Sequence, residues 1–393
     1  MKKQLLTSTA LVATGVLAVS GPALAQGKPT LTLGGSTEQI FGVGSNSDAF
    51  DAINGQRVGF DQHTDGEIFF KGAVTLDNGI KIQTRIEMEA NSTVDDTAGK
   101  ESNITNGAPG STGDGDLIDE HWIRISGSFG EVRLGSGDAA AQAMTTGYLG
   151  TWATGVGQNL AFDTGDWITN PGTVGASTIG RIDLTSDAEH ISYFTPRFSG
   201  FQAGISYIPS TEEDVNNQRA LTSAGDTDGW SLGLNYVGKF SGVGIGIATG
   251  YGASNESTVN QTDDEVWGIA GRVDFQGFRI AVSWVDNDSQ ETKSTGVTAR
   301  AGQETFEVGV RYTFGPNAVS LSHLSAETTG TSAAAGDGDE TKSTFIAYRR
   351  TLGPGVFWKV TGMLADFDDN APGAAAGNSN DGEALTTSIQ VRF

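Results

Sequence analysis

At 393 residues the chain could form one large domain or two small ones, and 56 glycines with only 18% charged residues are unlike a helical enzyme. There is no cysteine, which excludes disulfides and thiolate metal sites. Acids outnumber bases 47 to 24, a formal charge of −23 that repels nucleic acid and suits cations as ionic partners.

Residues 1–25 have the three parts of a secretory signal peptide. Lys2 and Lys3 form the basic start, residues 5–19 the apolar middle, and Ala23-Leu24-Ala25 the small-x-small cleavage site before Gln26. An uncleaved anchor is the alternative, but the apolar part is short for a span. No later stretch is apolar enough for a helical crossing, so residues 26–393 are expected to be periplasmic, secreted, or an outer-membrane barrel.

From Thr30 onward, alternating segments of about ten residues are separated by short turns and longer polar loops in turn. The first strand spans residues 30–43, and the second ends in EIFFKGAVTL before the turn Asp77-Asn78-Gly79. In the third, residues 80–90, Lys81, Gln83, Arg85, Glu87 and Glu89 share one face and Ile82, Thr84, Ile86 and Met88 the other. The hairpin 119–136, DEHWIRISGSFGEVRLGS, repeats this alternation around Ser128-Phe129-Gly130. Residues 137–187 then lose any sustained period, and so long a loop in a compact domain usually has a function. Beyond it, hairpins turn at 196–200, 239–242, 276–277, 315–317 and 353–355, where Gly, Pro and Asn supply the backbone angles that tight turns need. Residues 384–393 form a final strand. This makes about sixteen strands, an even number with short turns on one rim and long loops on the other.

The polar face carries charges inside strands: Arg272, Asp274, Arg279, Glu307, Arg311 and Arg392. A sheet of this kind closes sensibly around water with its apolar face toward hydrocarbon. Aromatics such as Phe275, Phe278, Tyr312, Phe314, Trp358 and Phe393 fall near strand ends, as interface girdles require. The fold expected is an all-β transmembrane antiparallel barrel with the long third loop, 137–187, folded into its lumen.

Three hairpins carry a family resemblance. HWIRISGSFGEVRLGS resembles the fourth and fifth strands of Gram-negative general porins, HISYFTPRFSGFQAGISY their hairpin beyond the constriction loop, and TLDNGIKIQTRIEMEAN their second hairpin. The likeness covers nearly the whole mature chain and is greatest to alphaproteobacterial porins. The ending SIQVRF resembles the C-terminal strand of outer-membrane proteins, which makes Phe393 the residue read by the barrel-assembly machinery. The resemblance implies a sixteen-stranded barrel, usually a homotrimer set among outer-membrane lipids and lipopolysaccharide, that lets ions and small hydrophilic solutes diffuse passively. It also implies a basic ladder on the wall facing acids of the third loop. Here Lys71, Arg85, Arg124 and Arg133 share the polar parity on strands two to five, and Asp138, Asp163, Asp166 and Asp183 are the loop acids expected to oppose them. The bland alternative is that these charges pair along a wide lumen wall. The loop lacks the PEFGG-like run of enterobacterial relatives, and its aromatics Tyr148, Trp152, Phe162 and Trp167 are expected to pack it to the wall.

Acidic outer loops at Asp114, Asp116, Asp337 and Asp339 offer carboxylate oxygens for weak Ca²⁺ or Mg²⁺ binding, with solvated loops as the alternative and no full EF-hand spacing. His63, His121, His190 and His323 are scattered, and neither HExxH nor GxSxG occurs, so no enzyme is expected. The acid excess suggests a mild preference for cations. A solute-selective channel, for sugars for example, and a barrel-anchored structural or adhesive surface protein remain open as alternatives.

Overall fold

The computed structural model describes residues 27–56, 59–90, 118–185, 187–211, 226–256, 264–288, 292–294, 297–299, 302–328, 338–370, 374–375 and 377–393. The signal segment and Asp114, Asp116 and Asp337 lie outside these residues.

The strands expected from alternation close into one antiparallel barrel. In chain order they are β1 (Thr30–Asn46), β2 (Asp61–Thr75), β3 (Lys81–Glu89), β4 (His121–Gly127), β5 (Gly130–Ser136), β6 (His190–Phe194), β7 (Phe201–Ser210) and β8 (Asp226–Phe240). The second half comprises β9 (Val243–Glu256), β10 (Asp264–Phe275), β11 (Phe278–Asn287), β12 (Gln303–Phe314), β13 (Asn317–Thr328), β14 (Glu340–Gly353), β15 (Val356–Asp368) and β16 (Asn380–Arg392). A short strand pair, Thr292–Ser294 with Val297–Ala299, lies outside the barrel. Each strand pairs with its chain neighbour, and β1 pairs with β16 to remove the sheet edge. Phe393 completes the seam by exchanging two 3.0 Å backbone hydrogen bonds with Gly35.

The period of two sorts the wall into faces. Trp267, Ile269, Val282 and Phe306 are exposed, while their strand neighbours Ala270, Ala281, Ser283 and Thr305 are buried. The exposed apolar face is the outer one. Near the short turns it carries the expected aromatics, with Phe278 stacked on Tyr312 at 4.3 Å and Tyr312 on Phe314 at 5.4 Å.

Inside, the two halves of the wall differ. On β2 to β5 the inward parity carries long charged side chains. From β7 round to β16 it is mostly Ser, Thr, Ala and Gly. That small-residue half lets another piece of chain approach closely. A Cβ on Gly233 would meet the Ala140 carbonyl at 2.5 Å, and one on Gly150 would meet the Glu307 carbonyl at 2.6 Å.

Candidate functional site: the loop, the wall and the charges between them

Segment 137–187 occupies that close approach. Its described residues include three short α-helices, α1 (Ala140–Thr145), α2 (Gly150–Thr154) and α3 (Leu160–Trp167). The residues before α1 and α2, Ala139 and Leu149, give no side-chain cap. The wall caps these helices instead. Ala140 and Ala141 donate their N–H groups to Ser206 Oγ on β7 and Ser231 Oγ on β8, both at 2.8 Å. Gly150 and Thr151 donate to Ser283 Oγ on β11 at 2.9 Å and Glu307 Oε2 on β12 at 3.1 Å. Each bond satisfies an N–H that a helix start otherwise leaves without a partner, and the carboxylate also suits the positive end of the helix dipole. The chain continues round the barrel. Val156 N donates to Ser320 Oγ on β13 at 3.2 Å and Gln158 N to Thr361 Oγ1 on β15 at 3.0 Å.

At β1 the segment meets a buried ion pair. Gln158 Nε2 donates to Glu38 Oε1 at 2.9 Å, and Glu38 Oε2 is paired with Lys359 Nζ at 2.6 Å. Ser388 on β16 donates to the same Glu38 Oε1. Trp167, buried, stacks on His63 of β2 at 4.5 Å. The return leg places Gly175 N on Asp339 Oδ2 at 2.8 Å, and Ile182 among Val266, Ala270 and Val285. The two largest apolar clusters between loop and wall set Leu160, Trp167 and Val174 against Leu324, Phe345 and Phe367, and Tyr148 and Leu149 against Ala248 and Val266. The loop aromatics thus pack it to the wall, with Trp152 edge-on to Phe162 at 5.6 Å.

The loop backbone is therefore held by the small-residue half of the wall, and the charged half is the one on β2 to β5. Lys71 and Arg85 are direct cross-strand partners, as are Arg124 and Arg133. Arg85 pairs with Glu87 and, at 3.1 Å, with Glu120. Glu131 lies 3.5 Å from Arg124 and 3.2 Å from Arg133, and Lys71 lies over the Phe69 ring at 4.3 Å. Much of the ladder is thus neutralised by carboxylates on the wall itself.

The four loop acids split into two groups. Asp138 and Asp183 are near the ladder: Asp138 feels Arg133 and Arg181, and Asp183 lies 3.9 Å from Arg181 within the loop. Asp163 and Asp166 are elsewhere. Asp163 accepts from the Asn159 N–H inside the first turn of α3, and Asp166 sits 3.5 Å from His63 Nδ1. Their positions on α3, which packs against β1 and β14 and reaches β2 at His63, place them apart from Asp138 and Asp183. Asp339 is occupied structurally, accepting from Gly175 N and Asn370 N at 2.8 and 2.9 Å. Among the described residues no group of three His or carboxylate side chains could hold a metal ion.

Burial shifts two loop acids. Asp138 is pushed up to about 6 by desolvation and then by Glu120 and Asp183. Asp187 is pushed up to about 9 by desolvation and then by Asp119, Asp138 and Glu120. A raised carboxyl is neutral below its pKa and charged above it. Negative charge beside the ladder should therefore grow from pH 5 to 7 as Asp138 ionises, and again above about pH 9 as Asp187 follows. Reversal potentials in a KCl gradient should move toward the potassium potential in those two windows; a flat profile from pH 5 to 10 would contradict the assignment.

A closed antiparallel barrel with an apolar belt outside and a loop pinned within belongs to the class of transmembrane β-barrels. The Gram-negative porin family model matches residues 7–370, and the chain belongs to that family. It is 28% identical over 211 residues to outer membrane porin protein 32 of Delftia acidovorans, covering 52% of this chain and 50% of that one. An uncharacterised protein of Rickettsia prowazekii is 28% identical over 222 residues, covering 49% and 50% respectively. The chain thus spans about half the length of these curated relatives. The anion-selective porin from Comamonas acidovorans shares the fold with a TM-score of 0.61 at 17% identity, over 93% of this chain and 100% of that one. The outer membrane channel DcaP of Acinetobacter baumannii does so with a TM-score of 0.60 at 10% identity, over 94% and 100%.

Proposed function

We propose that this protein is an outer-membrane porin, a water-filled channel through which ions and small hydrophilic solutes diffuse passively, and that it is not an enzyme. The observation that carries this reading is the pinned loop. It is held against the inward hydroxyls of β7, β8, β11, β13 and β15, and in this reading the passage runs along Lys71, Arg85, Arg124 and Arg133. Charges of both signs across a narrow gap orient water and dipolar solutes, while the width of the gap sets the size limit. The acids around Asp138 and Asp183 favour a mild cation preference.

The outer wall supports a homotrimer. On β1 and β2 the outward parity holds Gln39, Gln62 and Thr64, with Gln62 Nε2 and Thr64 Oγ1 donating to Gln39 Oε1 at 2.9 and 3.1 Å. Amides facing hydrocarbon are costly, so this face is better covered by protein than by lipid. In this reading residues 1–25 are a cleaved export signal. Phe393 is what the barrel-assembly machinery reads, and lipids and lipopolysaccharide surround the remaining outer face.

Liposome swelling tests the function. Vesicles containing the purified, heat-modifiable protein should swell in isotonic solutions of small sugars, at rates that fall with solute size and do not saturate. Failure to swell would reject an open channel, and saturation by one sugar would point to a selective one.

A further inference from the structure

A second row of cations lies away from the ladder. Arg272 (β10), Arg279 (β11), Arg311 (β12), Arg349 (β14) and Arg392 (β16) all stand near the short turns. Arg272 Nη1 donates to Gly147 O at 2.6 Å and Arg279 Nη1 to Ala153 O at 3.4 Å, so the row borders the loop on its short-turn side. Arg279 and Arg311 within the row are direct cross-strand partners, and Arg349 is the cross-strand partner of Lys359 on β15. Like charges set directly opposite one another destabilise a sheet. In each pair one member is neutralised. Asp274 holds Arg279 at 2.6 Å, and Glu38 holds Lys359 at 2.6 Å. Among the described residues no carboxylate lies within ion-pair distance of Arg311 or Arg349. Arg311 instead feels Arg279, Arg349 and Arg272 as like charges, with Asp274 as the opposing one.

We propose that Arg311 and Arg349 form an anion-binding station on the short-turn side of the loop, and that its ligand is a small multivalent oxyanion. β13 separates the two strands and presents only Ser320 opposite Arg311 and Ala318 opposite Arg349, with Val156 of the loop packed on Ala318. Strands two places apart are separated by about 10 Å, a span that two long side chains can close on one ligand. Guanidinium forks match phosphate-like oxygens two at a time, whereas chloride offers one centre and cannot bridge them as well. Phe357 holds the Arg349 guanidinium 5.4 Å from its ring centre and Arg392 at 5.6 Å, limiting the freedom that binding would otherwise remove. The station rests on the porin reading for its access to solute, but its chemistry stands on the wall alone.

Inorganic phosphate is the probe. Added to the short-turn side of single channels in KCl, it should reduce the current saturably, and less so from the other side. Arg311→Gln and Arg349→Gln, each alone, should weaken the half-blocking concentration about tenfold, the equivalent of about 1.4 kcal/mol or one charge-assisted hydrogen bond. Unchanged current at high phosphate, or block unaltered in both variants, would overturn the station. Titration calorimetry of phosphate into the detergent-solubilised barrel separates the two readings. Heat of binding that is lost in the variants supports the station even if the protein is silent in a bilayer, and silence would count against the porin reading only. No heat with the wild-type barrel overturns the station whatever the conductance.

Discussion

Replacing Lys359 by methionine is expected to destabilise the folded barrel by about 3–5 kcal/mol, the usual cost of orphaning one partner of a buried ion pair. The side chains of Lys359 and Glu38 are 9% and 4% exposed, and their charged atoms are 2.6 Å apart. Methionine fills much of the lysine volume, so the loss falls on the stranded carboxylate and not on packing. That carboxylate also receives Gln158 and Ser388, so the change reaches the loop's anchor at β1. The double variant Glu38→Gln with Lys359→Met keeps an acceptor oxygen for both donors while removing the charge. It should recover most of the loss, and the double-mutant cycle isolates the pair. Urea-unfolding midpoints read by heat-modifiable gel migration would settle this: equal destabilisation of single and double variants, or a single-variant cost under about 1 kcal/mol, would show that the pair is not the anchor.

The second large effect concerns the loop as a whole. Gly135 at the end of β5 is paired with His190 at the start of β6, so the strand ends lie side by side without the loop. Replacing residues 138–187 by a short Gly-Asn-containing turn should therefore preserve strand register. The wall would then present Ser206, Ser231, Ser283, Ser320 and Thr361 to water, hydroxyls that hydrate at little cost. Leu324, Phe345 and Phe367 would lose their cover and lower the unfolding temperature. The barrel should still form, with a lumen several times more conductive.

The barrel was legible in the chain because a one-residue slip would reverse every face. The alternation in β3 and the glycine turns at 276–277 and 353–355 identified strands whose ends the structure moves by a few residues. The wall ladder followed from the same parity. The loop was not legible for a physical reason: α1 and α2 are five or six residues long and take their capping groups from β7, β8, β11 and β12. The capping positions, Ala139 and Leu149, thus lack the Ser, Thr or Asp that announces a helix start. The one loop α-helix with its own side-chain cap, α3, is preceded by Asn159, which accepts from Ala161 N at 3.1 Å. Where each of the four loop acids falls was not legible for a related reason. The helix carrying Asp163 and Asp166 packs against β1 and β14, and nothing in its own residues specifies that wall. The serine-rich inward parity of β7 to β16 was the available signal, since small hydroxyl residues repeating on one face mark a surface built to receive backbone.

The most direct test is single-channel conductance in planar bilayers, comparing the intact chain with the form in which residues 138–187 are replaced. Steady ohmic steps arriving in threes are expected from the intact protein, and several-fold larger steps from the shortened one. Equal steps from the two would contradict a pore narrowed by this loop. A silent intact protein that becomes conductive on excision would make the loop a plug.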